Sequence, residues 1–560
     1  MKKLFLYASA LALTMALPGT VMAQGLTMTN EVLPNPENEP RPVFPVPTAR
    51  QIAWNQTEFY GFFHYGMNTY TGLEWGNGDE AETRFAPTAA PNPRQWLEAI
   101  KAAGMRGGIA VVKHHDGFCL WPTATTTHNV TNSGNEFGRN TNIPRDFAAA
   151  AKDLGMKYGF YISPWDRNSA YWGTKGADGF YTSDYAEKVF LPQCAEIAKY
   201  GNDQFEMWFD GATGASGYYG GANEHRTIDN ATRYYDIPNL RDSIHNACPH
   251  IIMWGVGGEA RWIGNEAGWA GETCWSYGNG TSGDENAWQW FPGESDAKAT
   301  TAGWFWHEGE SVKSAETLFK MYLETVGRNA TLILNFPPDK SGRLPQADVD
   351  ELKKLGDMLR ARLGTDFARL EGTTITADVT RSNGVTRTYN ASNMIDGDST
   401  TYWAAPDENN TASFTITLPE VKTIHYVALQ EYIHLGQRIK GFEIEISTDG
   451  TTWTKLAEGT MDVYGETTYT VKPENAGEVH KARFVKLVIK TMHWRQNTEE
   501  EMKAIHGGKA YNEYHSATFC NDRKAVGMDP EFAQFKKSAA IDLGPVILGE
   551  IEIYGRDIIQ

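Results

Sequence analysis

The stretch Gln204–Ala212 reads QFEMWFDGA: an apolar and aromatic run stops at Asp210 and glycine follows at once. A carboxylate beside Trp208 and Phe209 is expensive to half-bury without a task. The pattern is that of a buried barrel strand whose last side chain enters a reaction site. Other reactive groups fall in similar places. Apolar runs end in His64-Tyr65, in Lys113-His114-His115-Asp116 and in Ser163-Pro164-Trp165-Asp166-Arg167-Asn168. Glu74 and Trp75 follow the first of these; Glu259, Arg261, Glu266 and Glu272 are spread beyond a later one, and Glu294, Asp296, His307 and Asn335 come after them. Two carboxylates ringed by neutral hydrogen-bonding groups and indole faces are what cleavage of a glycosidic bond requires. One attacks the anomeric carbon; the other protonates the departing oxygen and later deprotonates water. In the retaining version the two lie about 5 Å apart. Asp210 is the expected nucleophile, and the residues alone leave its partner open among Glu259, Glu266 and Glu272. A hydrolytic metal centre built on His64, His114, His115, Asp116 and Asp210 is the competing reading. It is disfavoured because adjacent histidines on a strand point to opposite faces. Glu74 as a turn cap and Asp166-Arg167 as a local ion pair are further alternatives.

Such groups need a scaffold that brings many strand ends together. Between residues 51 and 366, short apolar runs alternate with amphipathic ones. The expected strands are Tyr60–His64, Gly108–Lys113, Tyr158–Ser163, Glu206–Asp210, Ile251–Trp254, Thr273–Ser276, Gly303–Trp306 and Thr331–Leu334. The expected helices are Pro93–Ala103, Pro144–Leu154, Ser183–Tyr200, Pro238–Ala247, Val312–Val326 and Gln346–Leu363. Eight such units predict an α/β fold of (β/α)8 barrel type, whose reactive groups sit at the C-terminal strand ends. A doubly wound open sheet fits less well, because polar clusters follow many strands rather than one switch point. From 367 to 560 the helical pattern fades. Thr373–Tyr389, Ser413–Val427, Phe442–Ser447, Thr467–Val471, Phe484–Ile489 and Ile547–Tyr554 alternate with period two, which predicts an all-β sandwich. Asn497–Phe535 is a polar insertion with no assigned structure.

These motifs carry a resemblance. His114-His115-Asp116-Gly117-Phe118, Trp208-Phe209-Asp210-Gly211, Arg261-Trp262-Ile263-Gly264-Asn265-Glu266, Phe62-Phe63-His64-Tyr65-Gly66 and Gly303-Trp304-Phe305-Trp306-His307 look like the α-L-fucosidases of glycoside hydrolase family 29, over about residues 50–365. Trp75–Gly78, Ser163–Asn168 and Gly264–Glu266 resemble the branch that prefers α-1,3/1,4-linked fucose in Lewis-type glycans. The resemblance implies Asp210 as nucleophile and Glu266 as acid/base. It implies that His64, Glu74 or Trp75, His114, His115, Tyr161 and Trp208 hold the fucose ring, with Trp165, Asp166 and Arg167 further out; Arg261 is included among the substrate contacts. It implies no required cofactor and a fucosylated oligosaccharide as substrate. The strand-four loop, Thr213–Tyr235, carries a small, flexible-looking run, Gly214–Asn223, which departs from that pattern beside the expected leaving-group site. The β-domain, through Asn393–Asp398 and Tyr402-Trp403, resembles the discoidin-like F5/8 type C modules. Such modules often bind galactose-type sugars and sometimes calcium, for which Asp396 and Asp398 are candidates. A structural brace and an ordinary β-turn are the alternatives. A non-catalytic glycan-binding protein and a retaining glycosidase for another sugar remain open.

Composition sets bounds. With 560 residues, two or more domains are expected. A net charge of −18 argues against nucleic acid or an anionic membrane as partner, whereas a neutral sugar is indifferent to that field. Met1-Lys2-Lys3, the apolar Leu4–Leu17 and Val21-Met22-Ala23 read as a secretory signal over residues 1–23, and the apolar run is short for a membrane span. A periplasmic, surface or released protein is expected. Residues 24–50, with repeated prolines, read as an extended lead-in. Cys119, Cys194, Cys248, Cys274 and Cys520 match no disulfide framework or zinc pattern and are expected as buried thiols, a single bridge staying open.

Overall fold

The computed structural model describes residues 35–40, 46–256, 258–272, 274–284, 290–460, 469–471, 479–492 and 545–556. The signal stretch 1–23 and the insertion Asn497–Phe535 lie outside them, as does Cys520. Eight parallel strands form the first architecture: β1 (Phe59–Phe63), β2 (Gly107–Lys113), β3 (Lys157–Ile162), β4 (Glu206–Phe209), β5 (Ile252–Gly255), β6 (Arg261–Trp262), β7 (Gly293–Lys298) and β8 (Ala330–Asn335). Neighbours pair in sequence order and β8 returns to β1, with Phe59 opposite Leu332 and Phe62 opposite Asn335. Between β5 and β6 the ring closes through a single parallel bridge, Trp254 to Ala260. The barrel interior is aromatic: Tyr60, Phe62, Tyr161, Trp208 and Trp254 pack there with Ile109, Val111, Ile252 and Ile333.

Local signals set the helices that space these strands. Asn92 caps Pro93–Ala102 by accepting from the Gln95 amide, with proline at the first turn; Asn142 does the same for Ile143–Leu154, which ends on left-handed Gly155. Gly61 in β1 allows the first helix to lie close, since a β-carbon there would meet Ile100 Cδ1 at 2.9 Å. The stretch expected as one helix over Ser183–Tyr200 is a π-helical turn, Ala186–Phe190, running into the α-helix Leu191–Ala198.

Two strand assignments are corrected. The sixth and seventh strands are Arg261–Trp262 and Gly293–Lys298, not Thr273–Ser276 and Gly303–Trp306 (Thr273 itself lies outside the described residues). The apolar character of those two runs has other causes. Trp275, with Tyr277 and Trp290, is buried in the core of the C-terminal domain, and Phe305 packs against the site histidines. The true seventh strand, GESDAK, is polar yet almost entirely buried.

After the helix Gln346–Leu363 comes an antiparallel β-domain organised on one long strand, Ala412–Gln430. Its first half pairs with Lys481–Met492 and its second with Glu550–Arg556. Alternate residues of the first half, Ala412, Phe414, Ile416 and Leu418, are buried, as period-two patterning demands. The barrel and this domain meet directly: the Gln437 amide donates to the Tyr277 hydroxyl at 3.2 Å, and the Ile553 amide to Asp366 Oδ1 at 2.8 Å. Part of the lead-in lies on the same domain, where Glu37 Oε2 accepts from the Thr386 and Arg387 amides at 2.9 and 2.8 Å. The loop expected to be floppy is instead a hairpin, Gly214–Gly217 with Glu224–Thr227, held by Arg226 Nη1 on the carbonyls of Ala170 and Trp172. Cys119, Cys194, Cys248 and Cys274 are buried free thiols. Among the described residues no helix is long and apolar enough to cross a membrane.

Candidate active site

Asp210 follows the last residue of β4, at the C-terminal end of the barrel. Its side chain is 29% exposed. Oδ1 accepts from the Ala212 amide at 2.8 Å, while Oδ2 accepts from the Tyr161 hydroxyl at 3.3 Å and faces His115 Nε2 at 3.7 Å. Around it stand three buried imidazoles. His64 Nδ1 lies 2.8 Å from Asn335 Oδ1, and the Asn335 amide nitrogen donates to the Trp304 carbonyl at 2.7 Å. That fixes the amide orientation, so His64 Nδ1 carries the proton and Nε2 is a bare acceptor. His115 repeats the device. Its Nδ1 lies 2.7 Å from Ser163 Oγ, whose own proton goes to the Trp165 carbonyl at 2.7 Å, leaving His115 Nε2 bare beside Asp210. Burial holds all three histidines below the usual imidazole range: His64 at about 3, His114 well below it, and His115 lowered despite the opposing pull of Asp210. Neutral rings with bare nitrogens suit a ligand that brings many O–H donors.

The His114 and His115 rings lie 4.2 Å apart. The opposite-face argument does not apply, because both residues follow β2 rather than end it. Among the described residues no group of three or more His, Cys, Asp and Glu side chains is arranged to hold a metal ion.

Indoles form the floor and wall. Trp208 stacks on Trp254 at 3.8 Å with planes 11° apart, and on Tyr161 at 4.9 Å. Trp75 is half-exposed and meets the edges of His115 and Trp165 at 5.3 and 5.5 Å. Glu74 receives the Trp304 amide at 2.7 Å and lies 2.9 Å from His307 Nε2, so it latches the loop after β1 to the loop after β7.

Three residues expected to touch substrate are occupied otherwise. Trp165 is fully buried behind His115, its Nε1 donating to the Tyr219 hydroxyl at 3.0 Å. Asp166 is a buried ion partner of Lys113 at 3.2 Å and accepts the amides of Asn168 and Ser169; its partner is therefore not Arg167. Arg261 is buried, with its guanidinium spent on the carbonyls of Gly280 and Phe291. Trp165 and Asp166 stand behind the site histidines, while Arg261 pairs with Gly293, the first residue of β7, toward the N-terminal end of the barrel. Arg167 likewise spends its guanidinium on the carbonyls of Gly76 and Ser216.

The candidates for the second carboxylate separate by position. Glu259 lies before β6, charged and engaged by Arg50, His245 and the Met253 amide. Glu272 stands between Ala270, whose amide bonds the Glu324 carbonyl near the end of the helix leading into β8, and Cys274, whose carbonyl accepts from Asn329 just before β8. Both belong to the N-terminal end of the barrel. Glu266 is exposed in the turn directly after β6, where Ala267 bridges Ala297 near the C-terminal end of β7. Its charge, after burial and Glu294, helps raise the buried Asp296 to about 8. Glu266 has a left-handed backbone, φ 49°, uncommon for a residue with a β-carbon. In the C-terminal domain, Asp396 and Asp398 accept from the Asp398 and Thr400 amides at 2.8 and 2.9 Å, as in a turn.

Asn335, Trp254 and Trp304 were not assigned roles from sequence, and Glu206 was hidden inside the apolar run that ends in Asp210. For Asn335 and Glu206 the available signal was a polar residue at the end or the start of a strand.

A (β/α)8 barrel with a half-buried carboxylate among neutral imidazoles and indoles defines a barrel enzyme built for a polyhydroxylated substrate. Comparison with known proteins agrees. The alpha-L-fucosidase family matches residues 48–362 and the F5/8 type C domain matches residues 375–502. The chain belongs to the α-L-fucosidases of glycoside hydrolase family 29 and is a glycoside hydrolase of that class. It is 32% identical to alpha-L-fucosidase 1 of Arabidopsis thaliana over 440 residues, covering 75% of this chain and 81% of that one. Among solved structures, a glycoside hydrolase 29 member from an unknown rumen bacterium is 33% identical, with TM-score 0.66 over 80% of this chain and 76% of that one. A Ruminococcus gnavus GH29 fucosidase in complex with fucose is 28% identical, with TM-score 0.72 over 96% and 98%.

Proposed function

We propose that the chain is an exo-acting, retaining α-L-fucosidase, with Asp210 as nucleophile and Glu266 as acid/base, that releases α-1,3/1,4-linked fucose from Lewis-type or branched glycans. The observation that carries the reading is Asp210 half-buried at a strand end beside the bare nitrogen of His115. The neutral rings of His64, His114 and His115 accept from sugar hydroxyls, and Trp208 and Tyr161 offer the apolar plate that a 6-deoxy sugar requires. Asp210 attacks the anomeric carbon as Glu266 protonates the leaving oxygen; water, deprotonated by Glu266, then breaks the ester. Trp75, half-exposed at the rim, packs against the leaving group. No metal takes part, so activity survives chelation. The N-terminal pattern supports export with cleavage before Gln24, which sequencing of the mature protein reads directly.

The test is Asp210→Ala. Fucose release drops by a factor of at least a thousand with an unchanged melting temperature; near-normal turnover rejects the assignment. Glu266→Ala spares an activated aryl fucoside relative to a natural oligosaccharide and is rescued by azide. A Lewis-type trisaccharide and 2'-fucosylated lactose, assayed side by side, test the linkage: faster release from the latter overturns it.

A further inference from the structure

Beneath the site, the barrel interior holds two glutamates that no step above uses. Glu206 opens β4 and Glu294 is the second residue of β7; both are fully buried. The Tyr60 hydroxyl lies against both, 3.1 Å from Glu206 Oε2 and in a short hydrogen bond with Glu294 Oε2, and 3.3 Å from Thr331 Oγ1. Trp54 Nε1 donates to Glu206 at 2.8 Å, and Trp208 Nε1 donates to Glu294 Oε1 at 2.8 Å. Tyr60 has one proton and cannot satisfy two carboxylates at once. Burial pushes both carboxyl groups up, and the charge of Glu206 adds to the rise at Glu294, so Glu294 favours its protonated form.

Two buried acids in a barrel core are a heavy cost for packing alone. What Glu294 provides is direction. Trp208 is held face-on by Trp254 and Tyr161, and stacked planes slide and rotate easily. Among the described residues the Trp254 Nε1 has no hydrogen-bond partner, so that ring does not anchor the stack. The bond to Glu294 is the one directional restraint on the Trp208 indole among the described residues. From Trp208 the contact runs to the Tyr161 ring, and from the Tyr161 hydroxyl to Asp210.

We propose that Glu294 is a positioning residue for the reaction, fixing the Trp208 indole and, through Trp208 and Tyr161, the sugar-facing plate and the Asp210 carboxylate. This rests on the assignment of Asp210 as nucleophile. Because Glu294 acts as a protonated acceptor, an amide can replace it.

The experiment is a double-mutant cycle in the full-length protein, read as kcat and KM on an aryl α-L-fucoside, with melting temperature measured for each variant. Glu294→Gln, whose carbonyl accepts from Trp208 and whose amide replaces the carboxyl proton, retains kcat within about threefold. Glu294→Leu loses at least tenfold in kcat, and Trp208→Phe, which keeps a ring but removes the N–H, loses a similar factor. The double variant is no slower than the slower single one, because both remove the same bond. A merely structural Glu294 gives multiplicative losses, or none in kcat, and overturns the proposal. So does Glu294→Gln as inactive as Asp210→Ala, which would mean that an ionised carboxylate reacts there. Should Glu294→Leu not fold, Trp208→Phe still decides: wild-type kcat in that folded variant removes the need for the bond. If wild-type protein releases no fucose, or Asp210→Ala stays active, the functional reading fails first, and the two failures are distinguishable.

Discussion

At the scale of single residues, the site's chemistry is set by which nitrogen carries a proton. His64 and His115 each give Nδ1 to a fixed oxygen, Asn335 Oδ1 and Ser163 Oγ, and keep Nε2 bare. Removing the fixed oxygen frees the ring to flip and to present a donor where the sugar needs an acceptor. Asn335→Leu therefore raises KM for an aryl fucoside about tenfold, the equivalent of one buried hydrogen bond of ~1–1.5 kcal/mol. It lowers kcat less, since Asn335 does not touch Asp210; steady-state kinetics at pH 7 give the split, and an unchanged KM contradicts the tautomer argument. Asp210 and the three histidines were legible because each stands next to an apolar run. The occupied state of Trp165, Asp166 and Arg261 was not, because their partners, Tyr219, Lys113 and the backbone of residues 280 and 291, come from distant parts of the chain.

At the scale of elements, the turn carrying Glu266 is a tight piece of the rim. Gly264 and Gly268 have φ of 98° and 77°, Asn265 accepts from the Ala267 amide at 2.9 Å, and a β-carbon on Gly268 would stand 2.2 Å from Met321 Cε. Gly268→Ala meets both the left-handed backbone and that contact. It costs on the order of 1–3 kcal/mol, visible as a lowered melting temperature, and displaces Glu266, so natural oligosaccharides lose more activity than an activated aryl fucoside. Equal losses on both substrates contradict the placement of Glu266. Most of the barrel could be read from alternation and caps: the helix Gln346–Leu363 has the expected bounds, and five early strands differ by a residue or so. β6 escaped because two residues cannot show a period. β7 escaped because Glu294 and Asp296 make a buried strand look like a solvent loop; their burial is tolerated only through the proton they hold and the indole donors of Trp208 and Trp262.

At the scale of the whole molecule, buried acids tilt stability against alkali. Burial raises Asp116 to about 7 and both Asp296 and Glu431 to about 8. Folded pKa values then exceed those of the unfolded chain, so this stabilisation is complete below the ordinary carboxyl range and is lost as pH rises through 7 to 8. The buried histidines act oppositely: their contribution is present above about pH 6.5 and is lost on acidification. Between pH 6.5 and 8.5 the carboxyls dominate, and the melting temperature falls by several degrees at constant ionic strength. Scanning fluorimetry across that window reads it, and a flat or rising curve contradicts the assignment.

The stretch that leaves Glu266 at the rim goes on to set Trp275, Tyr277 and Trp290 into the core of the β-domain before β7 begins. That bears on descent. A lineage that exchanged this C-terminal module by recombination would strand three large aromatics and loosen the segment bearing Glu266, so inheritance favours keeping the two parts together.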